Sequence, residues 1–296
     1  MEEKIIHLHP SLLQKQAEAD LQKIQDKRRD RYKYDMKHFV LFCDEHMLAH
    51  TYDSLKLYLH YSITQQRIKF STFERRLAGI KFHLKADGQQ PTEQQLEDIR
   101  LLRDLYNQPE YLRLKPQIGQ RAEKQDEVLR LIDRFDTDDP LDIRIRAICL
   151  VNLITACRPT EMVRIQLKDF DLRARTVWTM QTKQGSMVEK RLTLECIQAV
   201  DRYIRTFSLQ PEYFFVGKVD KWGHYHSTKV HESSYNRMTT KWLGFAPYTF
   251  RKTQITSMYN KGADIPTIAK QSGHKSHQTI MEHYIQVRKE DVDEFL

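Results

Sequence analysis

Near the end of the chain an arginine, a histidine and a tyrosine stand where helix, turn and helix could gather them around one anionic group. They are Arg251 in Phe250-Arg251-Lys252-Thr253, His274 directly after Gly273, and Tyr284 after His283. An arginine presents a rigid fork of donors that matches two phosphate oxygens at once, and histidine gives or takes a proton near neutral pH. Tyrosine adds a nucleophilic oxygen. These three types suit attack on a phosphodiester by a phenol, given a second cation and a proton donor for the leaving oxygen. Candidates for both lie upstream. Arg158 follows Thr155-Ala156-Cys157 and precedes Pro159, a residue suited to the first position of a helix, so the arginine falls at a turn beside a helix N-terminus, where phosphate is favoured. Lys183 lies in Thr182-Lys183-Gln184-Gly185, between two alternating β-branched segments that read as a hairpin. Glu161 is placed to orient the site as a neighbouring carboxylate, or simply to pair with Arg158.

The elements that must position these residues follow from periodicity. Residues 1–10 read as a loose arm. From Ser11 the chain is expected to be helical, with a cationic run (Lys23, Lys27, Arg28, Arg29, Arg31, Lys33, Lys37) and an apolar face of Tyr32, Phe39 and Phe42. A second helix covers Tyr52 to Ser62. In a third, Ser71 to Lys85, the residues Phe73, Leu77, Ile80 and Leu84 form one stripe, and Thr72, Arg75, Arg76, Gly79 and His83 fall opposite. That second face suits either a DNA groove, with Gly79 permitting close approach, or plain solvent. A fourth helix begins at Pro91-Thr92. Pro109, Pro116 and Gly119, with Arg113 and Lys115 among them, then suggest an extended basic linker. The expected organisation is a helical N-terminal DNA-binding domain at residues 1–112, a linker at 113–120 and a second domain at 121–296.

In the second domain, 126–135 and 142–156 read as helices, the latter apolar on most sides and therefore buried. The hairpin strands are Thr176 to Gln181 and Val188 to Leu194. Helices are expected at 195–206 and 232–243, with a strand from Tyr213 to Val216 between them, and then at 247–260, 264–272, 276–283 and 287–295. Tyr259 reads as core, His277 and His283 as surface.

The chain has 296 residues, enough for two cores, and its net charge of +8 favours a polyanionic partner. Cys43, Cys149, Cys157 and Cys196 are far apart with no C-x-x-C pair, so reduced thiols and no zinc site are expected. No apolar run approaches the roughly 20 residues needed to cross a bilayer, so a cytoplasmic protein is expected, nucleoid-associated if bacterial.

Thr155-Ala156-Cys157-Arg158-Pro159-Thr160-Glu161 resembles the first arginine box of the tyrosine site-specific recombinases, the phage-type integrases and Xer-like resolvases. Phe250-Arg251-Lys252-Thr253 resembles their second arginine box, and Gly273-His274 with Tyr284 the end of their signature. The intervals of 23 residues from Arg251 to His274 and 10 from His274 to Tyr284 agree. Thr182-Lys183-Gln184-Gly185 matches the family's mobile lysine, and the segment around Ser71-Thr72-Phe73-Glu74-Arg75-Arg76-Leu77 is similar to its core-binding domain. The resemblance implies a mainly α fold with a small β-hairpin or sheet, a four-helix N-terminal core-binding domain and an α+β catalytic domain. It implies Arg158, Arg251 and His274 on the scissile phosphate, Lys183 protonating the departing 5′ oxygen, and Tyr284 forming a 3′-phosphotyrosyl link. Such a link retains the phosphoester, so strands exchange without ATP, and neither metal nor other cofactor is expected. One position departs from the pattern. The family's histidine, three residues before the second arginine, is here Tyr248, a phenol of ordinary pKa near ~10 that donates a hydrogen bond more readily than it accepts a proton.

The implied partners are double-stranded recombination sites, three further copies of the chain in a tetramer, and accessory DNA-bending proteins. Val292, Phe295 and Leu296 share one side of the tail from Ile285 to Leu296 and suit docking on a neighbouring protomer. Two alternatives stay open. One is a type IB topoisomerase-like nicking and closing enzyme with the same five groups. The other is a DNA-binding protein with an impaired site, suggested by Tyr248.

Overall fold

A computed structural model describes residues 10–115, 122–181 and 185–285. The chain divides into two compact units, residues 1–118 and 119–296. No helix among the described residues is long and apolar enough to cross a membrane.

The described residues of the first unit contain four α-helices: α1 (Pro10–Glu45), α2 (Tyr52–Thr64), α3 (Phe70–Ala86) and α4 (Glu93–Asp104). Local chemistry sets their starts. Thr51 Oγ1 accepts the Ser54 amide ahead of α2, and Thr92 and Gln95 form a reciprocal capping box ahead of α4. The expected apolar stripe of α3 is the centre of this core, with Phe73, Leu77, Ile80 and Leu84 all buried against Phe39, Phe42, Tyr58 and Tyr106. Burying each such side chain contributes about 1.5–3 kcal/mol, which fixes the face that α3 turns inward.

The opposite face of α3, expected to meet either a DNA groove or solvent, is partly covered by α1 and α2 while Arg75 stays exposed. Gly79 is buried, and a Cβ built on it would lie 2.9 Å from Tyr32 Cδ1, so the glycine admits α1 and leaves no room there for DNA. Arg75 pairs with the buried carboxylate of Asp35, also on α1. Arg76 donates to Ser62 Oγ at 2.8 Å and to Gln66 Oε1 at 2.6 Å, and its guanidinium lies over the Tyr58 ring. His83 and Thr72 are half-buried. The physical reason is that α3 has helical neighbours on two sides. The Pro109-to-Gly119 segment expected to be extended, with its linker at 113–120, is also folded as far as residue 115, the last of its described residues. Residues 105–107 and 112–114 form 3-10 turns, and Tyr106 and Tyr111 anchor them in the core. Residues 1–9 and 116–121, which include the expected arm and the end of the linker, lie outside the described residues.

The second unit is built on α6 (Pro140–Thr155), preceded by α5 (Gln125–Asp133) and followed by a single turn, α7 (Pro159–Met162). Asp139 caps α6 and Pro140 takes its first turn, while Ile145, Ile148, Cys149, Val151 and Leu153 are buried around its circumference. Next come β1 (Phe170–Asp171), β2 (Thr176–Gln181) and β3 (Ser186–Arg191), an antiparallel sheet in the order β1-β2-β3 with Thr176 opposite Arg191 and Gln181 opposite Ser186. Then follow α8 (Leu194–Phe207), the two-residue strands β4 (Lys218–Val219) and β5 (Tyr225–His226), α9 (Glu232–Leu243), α10 (Tyr248–Asn260), α11 (Ile265–Ser272) and α12 (His277–His283). Tyr213 to Val216 is not a strand. Phe214 makes one isolated bridge to Gln166, and the segment pairs with the loop at Ile165 and Leu167, too short a partner to extend a ladder. The expected helix at 287–295 and the docking tail beyond Ile285 lie outside the described residues.

Candidate active site

The first half of the site is the turn that leaves α6. A helix end exposes carbonyls without helical partners, and here successive ones receive buried or half-buried side-chain donors. Gln271 Nε2 donates to Ile154 O at 2.9 Å, Lys190 Nζ to Thr155 O at 2.9 Å, Arg251 Nη1 to Ala156 O at 2.6 Å, and Asn152 Nδ2 to Cys157 O at 2.9 Å. The chain reverses through Ala156 at φ +50°, and Arg158 emerges next. Glu161, itself buried, accepts the Arg158 amide at 3.0 Å and its Nη1 at 2.8 Å, so backbone and side chain of the arginine are fixed together.

The second half comes from α10, α11 and α12, which share a small core of Ala156, Ile255, Ile268, Ala269 and Ile280, with Tyr284 buried in it. Tyr248 and Arg251 are one turn apart at the start of α10. Gly273 ends α11 at φ +72°, and a Cβ there would fall 1.7 Å from Gln181 Nε2. That close approach lets Gln181, the last residue of β2, donate to Gly273 O at 2.7 Å and tie the hairpin to the residue before His274. Thr256 Oγ1 donates to Tyr284 O at 3.0 Å and holds the end of α12 on α10.

Arg251 is fully buried and joins the two halves. Its Nη1 also donates to Ser272 O at 2.8 Å, its Nε to Tyr284 Oη at 3.3 Å, and its Nη2 to His274 Nε2 at 2.8 Å. The Nη1 side of the guanidinium is thus committed to backbone carbonyls. The edge left for phosphate is the Nε–Nη2 edge, which Tyr284 and His274 share here, a narrower offer than the open fork expected from sequence. The Tyr248 and Tyr284 hydroxyls are directly hydrogen-bonded.

These contacts fix the state of His274. An arginine only donates, so Nε2 accepts from Arg251, and Nδ1 carries the proton to Ser272 Oγ at 2.7 Å, whose hydroxyl donates on to Ile268 O. Burial, followed by the charges of Arg251, Arg158 and Lys190, lowers the His274 pKa to about 3, so the imidazole is neutral at pH 7. Burial, reinforced by the hydrogen bond with Tyr284, raises the Tyr248 phenol above its usual range, which keeps it protonated.

The structure therefore brings together Arg158, Glu161, Tyr248, Arg251, His274 and Tyr284. Lys183 lies outside the described residues, although both flanking strands are in place. His277 and His283 are exposed as expected, whereas Tyr259, expected in the core, is exposed, because the apolar packing of α10 is on its other side. Sequence reasoning missed Lys190, which is completely buried. Its signal was present: the register places Lys190 opposite the buried Val177, on the inward side of an alternating hairpin.

The sequence profile of the phage integrase family matches residues 123–291, more than half of the chain. The chain belongs to the phage integrase family, the tyrosine recombinases. Solved structures agree in fold. The Tn1549 transposon integrase in complex with transposon right end DNA is 12% identical, with 89% of this chain and 92% of that one covered at a TM-score of 0.60. The lambda integrase tetramer bound to a Holliday junction is 11% identical over 91% of this chain and 79% of that one, at 0.57. XerH recombinase bound to a palindromic difH substrate is 15% identical over 83% and 71%, also at 0.57. No curated protein matches the chain significantly.

Proposed function

We propose that the chain is a site-specific DNA recombinase that cleaves and rejoins strands through a 3′-phosphotyrosyl intermediate on Tyr284. The observation that carries this reading is the convergence on one phenol oxygen: Arg251 Nε and the Tyr248 hydroxyl both meet Tyr284 Oη. Arg158 and His274 act on the same small region, since the Arg158 charge acts on both Tyr248 and His274.

On this reading the scissile phosphate enters between Arg158 and the Nε–Nη2 edge of Arg251. Two cations facing the non-bridging oxygens stabilise the charge that builds in the pentacoordinate transition state, each donor contributing roughly 10²- to 10³-fold in rate. Tyr284 attacks phosphorus, the bond to the 5′ oxygen breaks, and Lys183 delivers a proton to that oxygen. His274 Nε2 accepts from Arg251 and its basicity is held down by burial and the neighbouring cations, so it becomes an acceptor for the Tyr284 proton only once the negative phosphate has entered among those cations. Tyr248 is not a base here. Its hydroxyl donates to the developing phenolate, which stabilises the nucleophile and keeps the ring in line. The reverse reaction reseals a strand using the energy kept in the phosphotyrosyl bond, without ATP or metal. Exchange between two sites calls for four protomers on two duplexes, and exposed cations of α1, among them Lys27, Arg29 and Lys37, would add contacts to DNA phosphates. Accessory DNA-bending proteins and a cytoplasmic setting go with this reading.

The experiment is Tyr284→Phe on DNA selected by the protein from a random pool. Binding should persist while the denaturant-resistant protein–DNA adduct disappears. An adduct at the unsubstituted yield would exclude Tyr284 as nucleophile. Joining of two separately marked DNA molecules distinguishes a recombinase from a nicking and closing enzyme.

A further inference from the structure

Lys190 is a cation with no exposed surface, and the strand-cleavage chemistry above gives it no part. Burying a charged ammonium is costly unless its partners are well placed, so the position of those partners is informative. Nζ donates to Thr155 O at 2.9 Å, lies 3.5 Å from Cys157 Sγ, and is 3.9 Å from Glu161 Oε2. All three belong to the turn that presents Arg158. Glu161 Oε2 is also the atom that accepts the Arg158 amide, and the other carboxylate oxygen holds the Arg158 guanidinium. Lys190 thus holds the left-handed turn at Ala156 from its N-terminal side and the carboxylate from beneath, while Arg251 holds Ala156 O between them.

We propose that Lys190 is a positioning residue for strand cleavage, acting through the Thr155–Cys157 turn and Glu161 to hold Arg158 toward the scissile phosphate; this rests on the phosphotyrosyl reading. Lys190 comes from β3, one strand of the hairpin that also carries Lys183, and Gln181 ties the neighbouring strand to Gly273. The hairpin is therefore a strut between the two halves of the site as well as the carrier of Lys183. The buried cations Arg251 and Lys190, with Arg158, outnumber the one carboxylate Glu161 by two charges. That excess matches the double negative charge a phosphodiester acquires on attack.

The test compares an ordinary scissile phosphate with a methylphosphonate, in which a methyl group replaces one charged non-bridging oxygen, both within the selected DNA sequence. Removing that charge removes what Arg158 neutralises, so Arg158→Ala should slow the phosphate far more than the methylphosphonate. Lys190→Met should follow Arg158→Ala, with the ratio of the two cleavage rates falling roughly 10- to 100-fold. Each preparation supplies its own reference, because misfolded protein lowers both rates equally and leaves the ratio unchanged. Lys190→Gln, which keeps a donor for Thr155 O, should give the same direction with a smaller change. Equal slowing on both substrates, or no slowing, would overturn the proposal. If the unsubstituted protein forms no adduct on either DNA, it is the phosphotyrosyl reading that fails.

Discussion

At the scale of single residues, the feature that separates this site from the family pattern is a phenol meeting a phenol. Tyr248 stays protonated, so on the proposed reading its effect on Tyr284 is that of a donor. Tyr248→Phe deletes that donor and should cost about 1–3 kcal/mol in the cleavage transition state, one to two decades in rate. Tyr248→His should cleave at least as fast as the unsubstituted protein, since an imidazole donates and also accepts at neutral pH. Cleavage by Tyr248→Phe at the full rate, in single-turnover assays, would reduce the position to packing. His274 allows a second check. Its pKa falls from an ordinary 6.5 to about 3 on folding, so between those values the unfolded chain binds more protons than the folded one. Stability from this group is complete above pH 6.5 and is lost as pH falls toward 3. Thermal melts across that window should show the loss, and His274→Gln should flatten part of it. Identical pH dependence in both proteins would contradict the burial and charge environment assigned to His274.

At the scale of elements, the glycines mark where backbones or side chains must approach. Gly79→Ala would press a methyl group into Tyr32 and should lower stability by about 1–3 kcal/mol through the α1–α3 contact, read as a fall in Tm. An unchanged Tm would mean that Tyr32 moves aside freely and α1 is not locked there. This contact is also where sequence reading reached its limit. The stripe of Phe73, Leu77, Ile80 and Leu84 was legible because burial follows helical period. Nothing local says that Gly79 on the other face is also covered and that Arg76 is half-buried while Arg75 stays exposed, because that depends on how a second helix crosses it. The same contrast holds in the site. That Arg158, Arg251, His274 and Tyr284 could come together was legible from type, order and spacing. The carbonyl clamp formed by Gln271, Lys190, Arg251 and Asn152 was not, since it joins residues up to 117 positions apart through backbone oxygens that carry no sequence label.

At the scale of the whole molecule, the two arginines belong to elements distant in sequence, the end of α6 and the start of α10, and Arg251 bonds directly to the turn that carries Arg158. The reaction centre is therefore assembled only when the second unit is folded. Charge follows the same plan, with a basic chain overall and a locally cationic, largely buried cluster that on the proposed reading receives the phosphate. Lys183 completes the account from the hairpin. Lys183→Ala should slow an ordinary phosphodiester far more than a substrate with a 5′ sulfur leaving group, because a thiolate departs without an acid. Equal slowing of both would remove Lys183 from that role.

The most direct measurement is the identity of the residue bonded to DNA. Protein incubated with a nicked duplex of the selected sequence, so that the cleaved strand diffuses away, should be trapped as a covalent complex. After digestion, mass spectrometry should find the nucleotide on the peptide containing Tyr284, attached through a 3′ phosphate. A nucleotide on Tyr248 or Tyr259, a 5′ linkage, or no covalent complex with DNA that the protein binds would contradict the account.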